Sequence, residues 1–506
     1  MPAAYSEKLD RWTAAVVARP GPLFALAAIV LLVQVGPWWY PSPDSAAYFS
    51  IARSFWSPEG PTAFGSSHLF YSPTYALLLS PVFFLGERPF MAAALLHWFL
   101  SLALMAGVYR WAKPLGSWSA VAVTLLTVLH VQYGIYFRRP LSETFFTTAM
   151  VWAVIVLDHF RTTQLRSERI GYGIAGTTLL TLACLIRPNG VMLIPGFGLA
   201  LLATWGRREK RQLLAAVAAT LLIGGIAAGV FYAARKIDDR RAAEKSAVTY
   251  WDYFVKLQDP SKPSMFARIP DGTFIQMGDF SRLIIPGMFK SRTKSEGRLN
   301  INNFVATAMT LVVVIGWWRL LRTRGDVWTW SFPFFMALNV IWAADVGTRY
   351  TLPVLPVIWA AVCMTVQPFR PRIERWLLPF VALHAVVGIS YWLVTDLPRN
   401  RELNQHWPAV EELAWVVDRD QQTVAALGLT PEATQLFRFQ LDRDVKAYDP
   451  AAKSKQPDWI VTLAEGSTLP PGYGVGAEAG PYRMLRRTTL NPHPVDAGQT
   501  PATPLE

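Results

Sequence analysis

The sequence predicts an all-α polytopic membrane protein, with its N-terminus inside and its C-terminus outside, followed by a small C-terminal α/β extracytoplasmic domain. Three observations predict it. The 506 residues are 52% hydrophobic and only 16% charged, against about 25% charged in ordinary soluble domains. Apolar runs long enough to cross roughly 30 Å of hydrocarbon recur along the chain, giving about 11 candidate transmembrane helices. Basic residues crowd into every second connection between those runs, which is the pattern of cytoplasmic loops. The 13% aromatic content, with 21 Trp, suits side chains that collect at membrane interfaces. The same composition excludes disordered, collagenous and coiled-coil classes.

The runs cover approximately 21–39, 89–110, 117–136, 141–158, 170–186, 189–205, 213–234, 303–319, 327–345, 350–367 and 376–394. The first lacks a small-residue cleavage site and exits through Trp38-Trp39-Tyr40, so it reads as a retained helix. The basic connections hold Lys8, Arg11 and Arg19; Arg110 and Lys113; Arg161, Arg166 and Arg169; Arg207, Arg208, Lys210 and Arg211; Arg319, Arg322 and Arg324; Arg370, Arg372 and Arg375. The formal net charge of +13 is therefore mainly a topology signal. It makes membrane lipids the expected neighbours and removes nucleic acid as a partner. Cys184 and Cys363 both lie in apolar runs, so neither a disulfide framework nor a cysteine metal site is expected.

Three long segments then project outward: 40–88, 235–302 and the tail from 395. Residues 1–394 form the transmembrane domain. Residues 395–490 read as the soluble α/β domain, with a polar helix around His406–Arg419, strands at Thr423–Leu427, Trp459–Leu463 and Tyr482–Leu485, and a helix at Pro431–Leu441. Residues 491–506, rich in Pro and Thr, read as a disordered tail.

Apart from 235–302 and the tail, only five acidic residues fall in outward positions, and Asp44 and Glu143 are two of them. Asp44 opens a segment whose Ala47, Tyr48, Ile51, Ala52 and Phe55 share one helical face, suggesting a helix flat in the interface. As a simple N-cap Asp44 needs no further role. Glu143 starts the fourth run and has a helix-dipole reading beside a catalytic or cation-holding one; Arg138 and Arg139 are placed to neutralise it or to meet lipid headgroups. Arg187 and Arg349 carry planar, permanently charged forks suited to phosphate, or else snorkel to the interface. Tyr350 beside Arg349 is a phosphate-site candidate or an interfacial anchor, and Asp345 falls one turn before Arg349. His68, Tyr71 and Tyr48 are candidate substrate-binding residues in the first outward segment. Tyr250-Trp251-Asp252-Tyr253-Phe254 forms an aromatic patch in the second outward segment.

In order along residues 20–395 stand Asp44 after the first helix, Tyr48-x-x-Ile51-Ala52, Tyr71-x-Pro73-x-Tyr75, Leu141-Ser142-Glu143-Thr144-Phe145-Phe146, Arg187-Pro188-Asn189-Gly190 and Arg349-Tyr350-Thr351-Leu352-Pro353. This set resembles the membrane-embedded C-type glycosyltransferases, in the bacterial branch of protein O-mannosyltransferases and lipid A aminoarabinose transferases. Where relatives have a second acid beside the loop aspartate, Ser45 stands here, so no adjacent carboxylate pair is expected.

The resemblance implies a polyprenyl-phosphate-linked sugar as donor, an active site on the extracytoplasmic face of a cytoplasmic membrane, and Asp44 at the reacting centre. Transfer with inversion then has Asp44 taking the acceptor proton while Arg349 and Arg187 hold the departing phosphate. The acceptor is a glycan, a lipid or a protein. No soluble cofactor is required, and a divalent cation at Glu143 stays open. A transporter or flippase of lipid-linked sugars, and a non-catalytic scaffold, are the rival readings.

Overall fold

The computed structural model describes residues 15, 17–58, 60–65, 71–205, 210–244, 269–285, 301–341, 347–417, 423–442, 445–448, 456–465 and 469–488. His68, Asp345, the aromatic patch at 250–254 and the tail 491–506 lie outside the described residues. The chain forms two compact units, one of residues 1–40 and 47–400, the other of residues 41–46 and 401–506.

The first unit is helical. Its elements are α1 (Gly21–Leu32), α2 (Pro43–Ser54, whose residues 43–46 belong to the second unit), α3 (Pro73–Leu79), α4 (Phe90–Ala112), α5 (Ser117–Val128), α6 (Val131–Arg138), α7 (Ser142–Thr162), α8 (Arg166–Ile186) and α9 (Leu193–Trp205). After these come α10 (Lys210–Glu244), α11 (Ile269–Ile284), α12 (Ile301–Thr323), α13 (Val327–Ile341), α14 (Leu355–Val366) and α15 (Arg370–Tyr391). Each predicted apolar run contains a helix, yet among the described residues eight helices are long and apolar enough to cross a membrane. The pair α5 and α6, bent by 47°, makes a ninth if it is one span. The other two runs give shorter apolar helices: α1 has 12 residues and α13 has 15. Helix α1 ends before Gly36-Pro37, where the chain cannot continue a helix. Large apolar side chains such as Leu221, Leu222, Phe304 and Leu311 face outward from the bundle, as lipid-facing side chains do.

Two predictions of local form change. Helix α2 does not rest on one apolar face: Ala46 through Ala52 are all buried, so it sits inside the protein. The break between α5 and α6 falls inside a run that reads as continuous in sequence. His130 takes extended backbone there, its Nδ1 accepts the Gln132 backbone N–H at 3.1 Å, and its Nε2 lies 2.8 Å from the Leu283 carbonyl. The imidazole thus caps the second helix and ties it to α11.

Helix α16 (Leu397–Gln405) follows, and the second unit contains α17 (Trp407–Ala414), α18 (Pro431–Leu441) and a five-stranded sheet. The strands are β1 (Val424–Leu427), β2 (Lys446–Ala447), β3 (Trp459–Leu463), β4 (Tyr473–Ala479) and β5 (Tyr482–Arg487), in the order β2-β1-β3-β5-β4. Strand β1 runs parallel to β2 and β3, while β5 is antiparallel to β3 and β4. Ile460, Tyr473 and Leu485 form its buried centre. Helix α18 starts where Thr430 accepts the Ala433 N–H with Pro431 at the first position, and stops at Asp442, whose φ is 52°. Burial pushes the Tyr482 hydroxyl up to about 12, and that hydroxyl meets His406 Nδ1 at 2.8 Å.

Close helix packing depends on small residues, as membrane bundles require. Gly316 of α12 lies against α14 so tightly that a Cβ would overlap the Ala361 carbonyl, whereas a Cβ on Gly229 of α10 would meet nothing within 4 Å. Gly316→Val is expected to cost about 1–3 kcal/mol, read as a lower melting temperature in detergent. Gly229→Ala is expected to hold or slightly raise it; equal losses in both would contradict the packing.

Candidate active site

Glu143 lies in the first turn of α7 and is 2% exposed. Helices α7 and α8 pack as an antiparallel pair, so the start of one meets the end of the other. Arg187 follows directly on α8, and Pro188 after it disfavours helical backbone at Arg187, which takes φ −146° and ψ 135°. The chain then turns back so closely that a Cβ on Gly190 would press on the Ala183 and Cys184 backbone. That turn aims the Arg187 guanidinium at Glu143, where it donates to Oε1. Arg349, in the 3-10 turn Gly347–Tyr350, donates to the same oxygen from the other side. Tyr350 completes the group with its ring 5.0 Å from the Arg187 guanidinium.

The structure therefore brings together Glu143, Arg187, Arg349 and Tyr350, four of the residues singled out in the sequence. The partner of Glu143 differs from one expectation: Arg138 hydrogen-bonds Gln34 Oε1 at 2.6 Å and Asp396 Oδ2 at 2.5 Å, not Glu143. Two arginines on one carboxylate oxygen also make Glu143 a poor cation ligand, because any cation would meet two fixed positive charges. Among the described residues no three His, Cys, Asp or Glu are grouped to hold a metal. Buried Glu143 Oε2 and Asn189 Nδ2 have no hydrogen-bond partner, and such orphans are normally satisfied by something.

Next to this cluster the Tyr48 hydroxyl donates to Ser142 Oγ at 3.3 Å. Tyr71 meets Tyr48 edge to face at 5.3 Å, and Tyr75 does so at 4.6 Å. Burial, with Tyr48 and Glu143 nearby, pushes the Tyr75 hydroxyl well above its ordinary value, so it stays protonated at neutral pH. Sequence reasoning missed its partner His97, 2.8 Å away on α4; a lone histidine in an apolar run carries no periodic signal. It also missed Gln276, which donates to Thr351 Oγ1 at 3.3 Å, and buried Asp279, paired with Arg282 at 3.4 Å on α11.

Asp44 is half-buried in the first turn of α2. It is not the N-cap. Ser42 fills that role, its Oγ accepting the Ser45 N–H at 3.2 Å while Ser45 Oγ accepts the Ser42 N–H at 2.9 Å. This reciprocal pair satisfies the helix start, so the capping explanation of Asp44 falls away.

Removing the charge of Glu143 would leave the buried Arg187 and the half-buried Arg349 facing each other. Glu143→Gln is expected to cost about 3 kcal/mol, seen as a lower melting temperature, and Glu143→Gln with Arg349→Gln is expected to regain part of that. A double variant less stable than either single one would contradict the shared carboxylate.

No protein-family model matches the sequence, and no curated protein matches it either. Solved structures do. ArnT from Cupriavidus metallidurans bound to undecaprenyl phosphate aligns with a TM-score of 0.56 at 14% identity, over 92% of this chain and 98% of that one. Its apo state aligns at 0.55 and 13% identity, over 92% and 97%. An Archaeoglobus fulgidus oligosaccharyltransferase in complex with Zn and sulfate aligns at 0.52 and 11% identity, over 87% and 67%. Across most of its length the chain therefore shares its fold with these solved structures.

Proposed function

We propose that this protein is a membrane glycosyltransferase that moves a sugar from a polyprenyl-phosphate-linked donor to an acceptor at the extracytoplasmic face of the cytoplasmic membrane, with inversion. The observation that carries the reading is the Arg187, Arg349 and Glu143 cluster at the helix ends, set in a fold shared with a protein solved with undecaprenyl phosphate. In this reading Asp44 takes the proton of the acceptor nucleophile as its bond to the anomeric carbon forms. The bond from that carbon to the phosphate oxygen breaks, and the lipid phosphate leaves with the electron pair. Arg187 and Arg349 neutralise that phosphate, Tyr350 stacks under Arg187, and Glu143 keeps both guanidiniums in place. Tyr48 and Tyr71 line the substrate space, with His68 in the same segment as a further candidate. Residues 1–394 carry the reaction, and 395–490 form an extracytoplasmic domain. The acceptor class, whether protein, lipid or glycan, is set by contacts beyond these residues.

Transport of a lipid-linked sugar is the second reading, favoured by the bent pair of helices at His130, because transporters bind at broken helices. Among the described residues a single such break, without a counterpart in the other half, supports it less.

Incubating purified protein with radiolabelled polyprenyl-phosphate sugars and membrane extract separates the two. Wild type is expected to transfer label, and Asp44→Asn to transfer roughly 10²–10⁴-fold less. Equal transfer by both would remove Asp44 from the mechanism; no transfer from any donor would favour transport or scaffolding. Arg349→Ala is expected to slow transfer by about 10². A reporter fused after residue 394 is expected to read extracytoplasmic, and a cytoplasmic signal would overturn the placement of the site.

A further inference from the structure

His97 is a buried side chain that the proposed reaction does not use. It lies on α4 and is 1% exposed. A polar, ionisable residue within a membrane helix is costly to keep and points to function by default. Its Nε2 sits 2.8 Å from the Tyr75 hydroxyl, and Tyr75 is fully buried. Each group therefore spares the other an unsatisfied buried polar atom. The consequence passes outward through rings: Tyr75 packs its edge on Tyr48 at 87°, and Tyr48 meets Tyr71 at 63°. Tyr48 also donates to Ser142, the residue before Glu143. One hydrogen bond thus fixes the rotamer of Tyr75, and Tyr75 fixes two further rings beside the arginine cluster.

We propose that His97 is a positioning residue for a sugar-binding wall, holding Tyr75 so that the buried Tyr48 backs Tyr71, the half-buried ring on which the sugar of the donor rests. The inference rests on the reading of the protein as a lipid-phosphate sugar transferase. The physical basis is the negative face of an aromatic ring, which suits the slightly positive C–H face of a sugar. The tyrosines add nothing to phosphate recognition, which belongs to Arg187 and Arg349. Affinity for the sugar and affinity for the lipid phosphate are therefore separable, and His97 acts on the first alone.

Binding to the full chain in lipid nanodiscs tests this without turnover, using bare polyprenyl phosphate and polyprenyl phosphates carrying a hexose, a pentose or an amino sugar. Wild type is expected to bind one sugar-bearing form more tightly than the bare lipid phosphate. His97→Phe is expected to weaken that form about tenfold while changing the bare form less than about twofold. Tyr75→Phe should do the same, the double variant should be no worse than either, and His97→Gln, which keeps a polar partner for the hydroxyl, should recover most of the loss. Equal weakening of both ligands in His97→Phe would mark a general structural role and overturn the proposal, as would unchanged sugar binding. Wild type that binds neither ligand would overturn the transferase reading, and this inference with it.

Discussion

One carboxylate shared by two guanidiniums organises the membrane unit. Glu143 starts α7, Arg187 follows α8, and Arg349 stands in the turn before α14, so their contacts tie three separate connections at one place. Each charge is costly to bury alone, and the cost is offset only when all three are present and oriented. The cluster also retains one more positive than negative charge. An anionic group arriving there meets groups already fixed and stripped of water, the condition under which electrostatic stabilisation is strongest.

The same rule explains the rest of the frame. Without water inside a bilayer, polar groups must find partners within the protein, and the buried ones here reach across long stretches of sequence. Arg138 at the end of α6 pairs with Asp396, and the Trp111 indole donates to Asp326 Oδ2 at 3.1 Å. Asp326 also accepts the Thr329 N–H at 2.8 Å, capping α13. His130 joins the α5 and α6 break to α11. Such ties give the bundle its register, since apolar faces alone slide past one another in lipid with little penalty. They hold the helix ends steady enough for a cluster of charges to keep its geometry.

Much of the fold was legible in sequence because its signals are local. Each apolar run contains a helix, and the strand and helix positions near residues 424–427, 431–441, 459–463 and 482–487 follow alternation, Thr430-Pro431 capping and turn chemistry. The misreadings were of another kind. The bend at His130 and the full burial of α2 depend on what packs from elsewhere: the Leu283 carbonyl in one case, surrounding helices in the other. Arg138 looked available to Glu143 because both lie close in the chain, yet its partner Asp396 is remote.

The candidate residues divide along the same line. By itself the sequence determined that the chain is a multi-span helical membrane protein with a small α/β tail, and it named Glu143, Arg187, Arg349 and Tyr350, because residue type and helix-end position are local properties. Only tertiary structure decided that these four meet, that Ser42 rather than Asp44 caps α2, and that His97 supports the tyrosines beside them. The reason is physical: an ion pair or a hydrogen bond between distant segments has no periodicity to read, and exists only once the helices have packed.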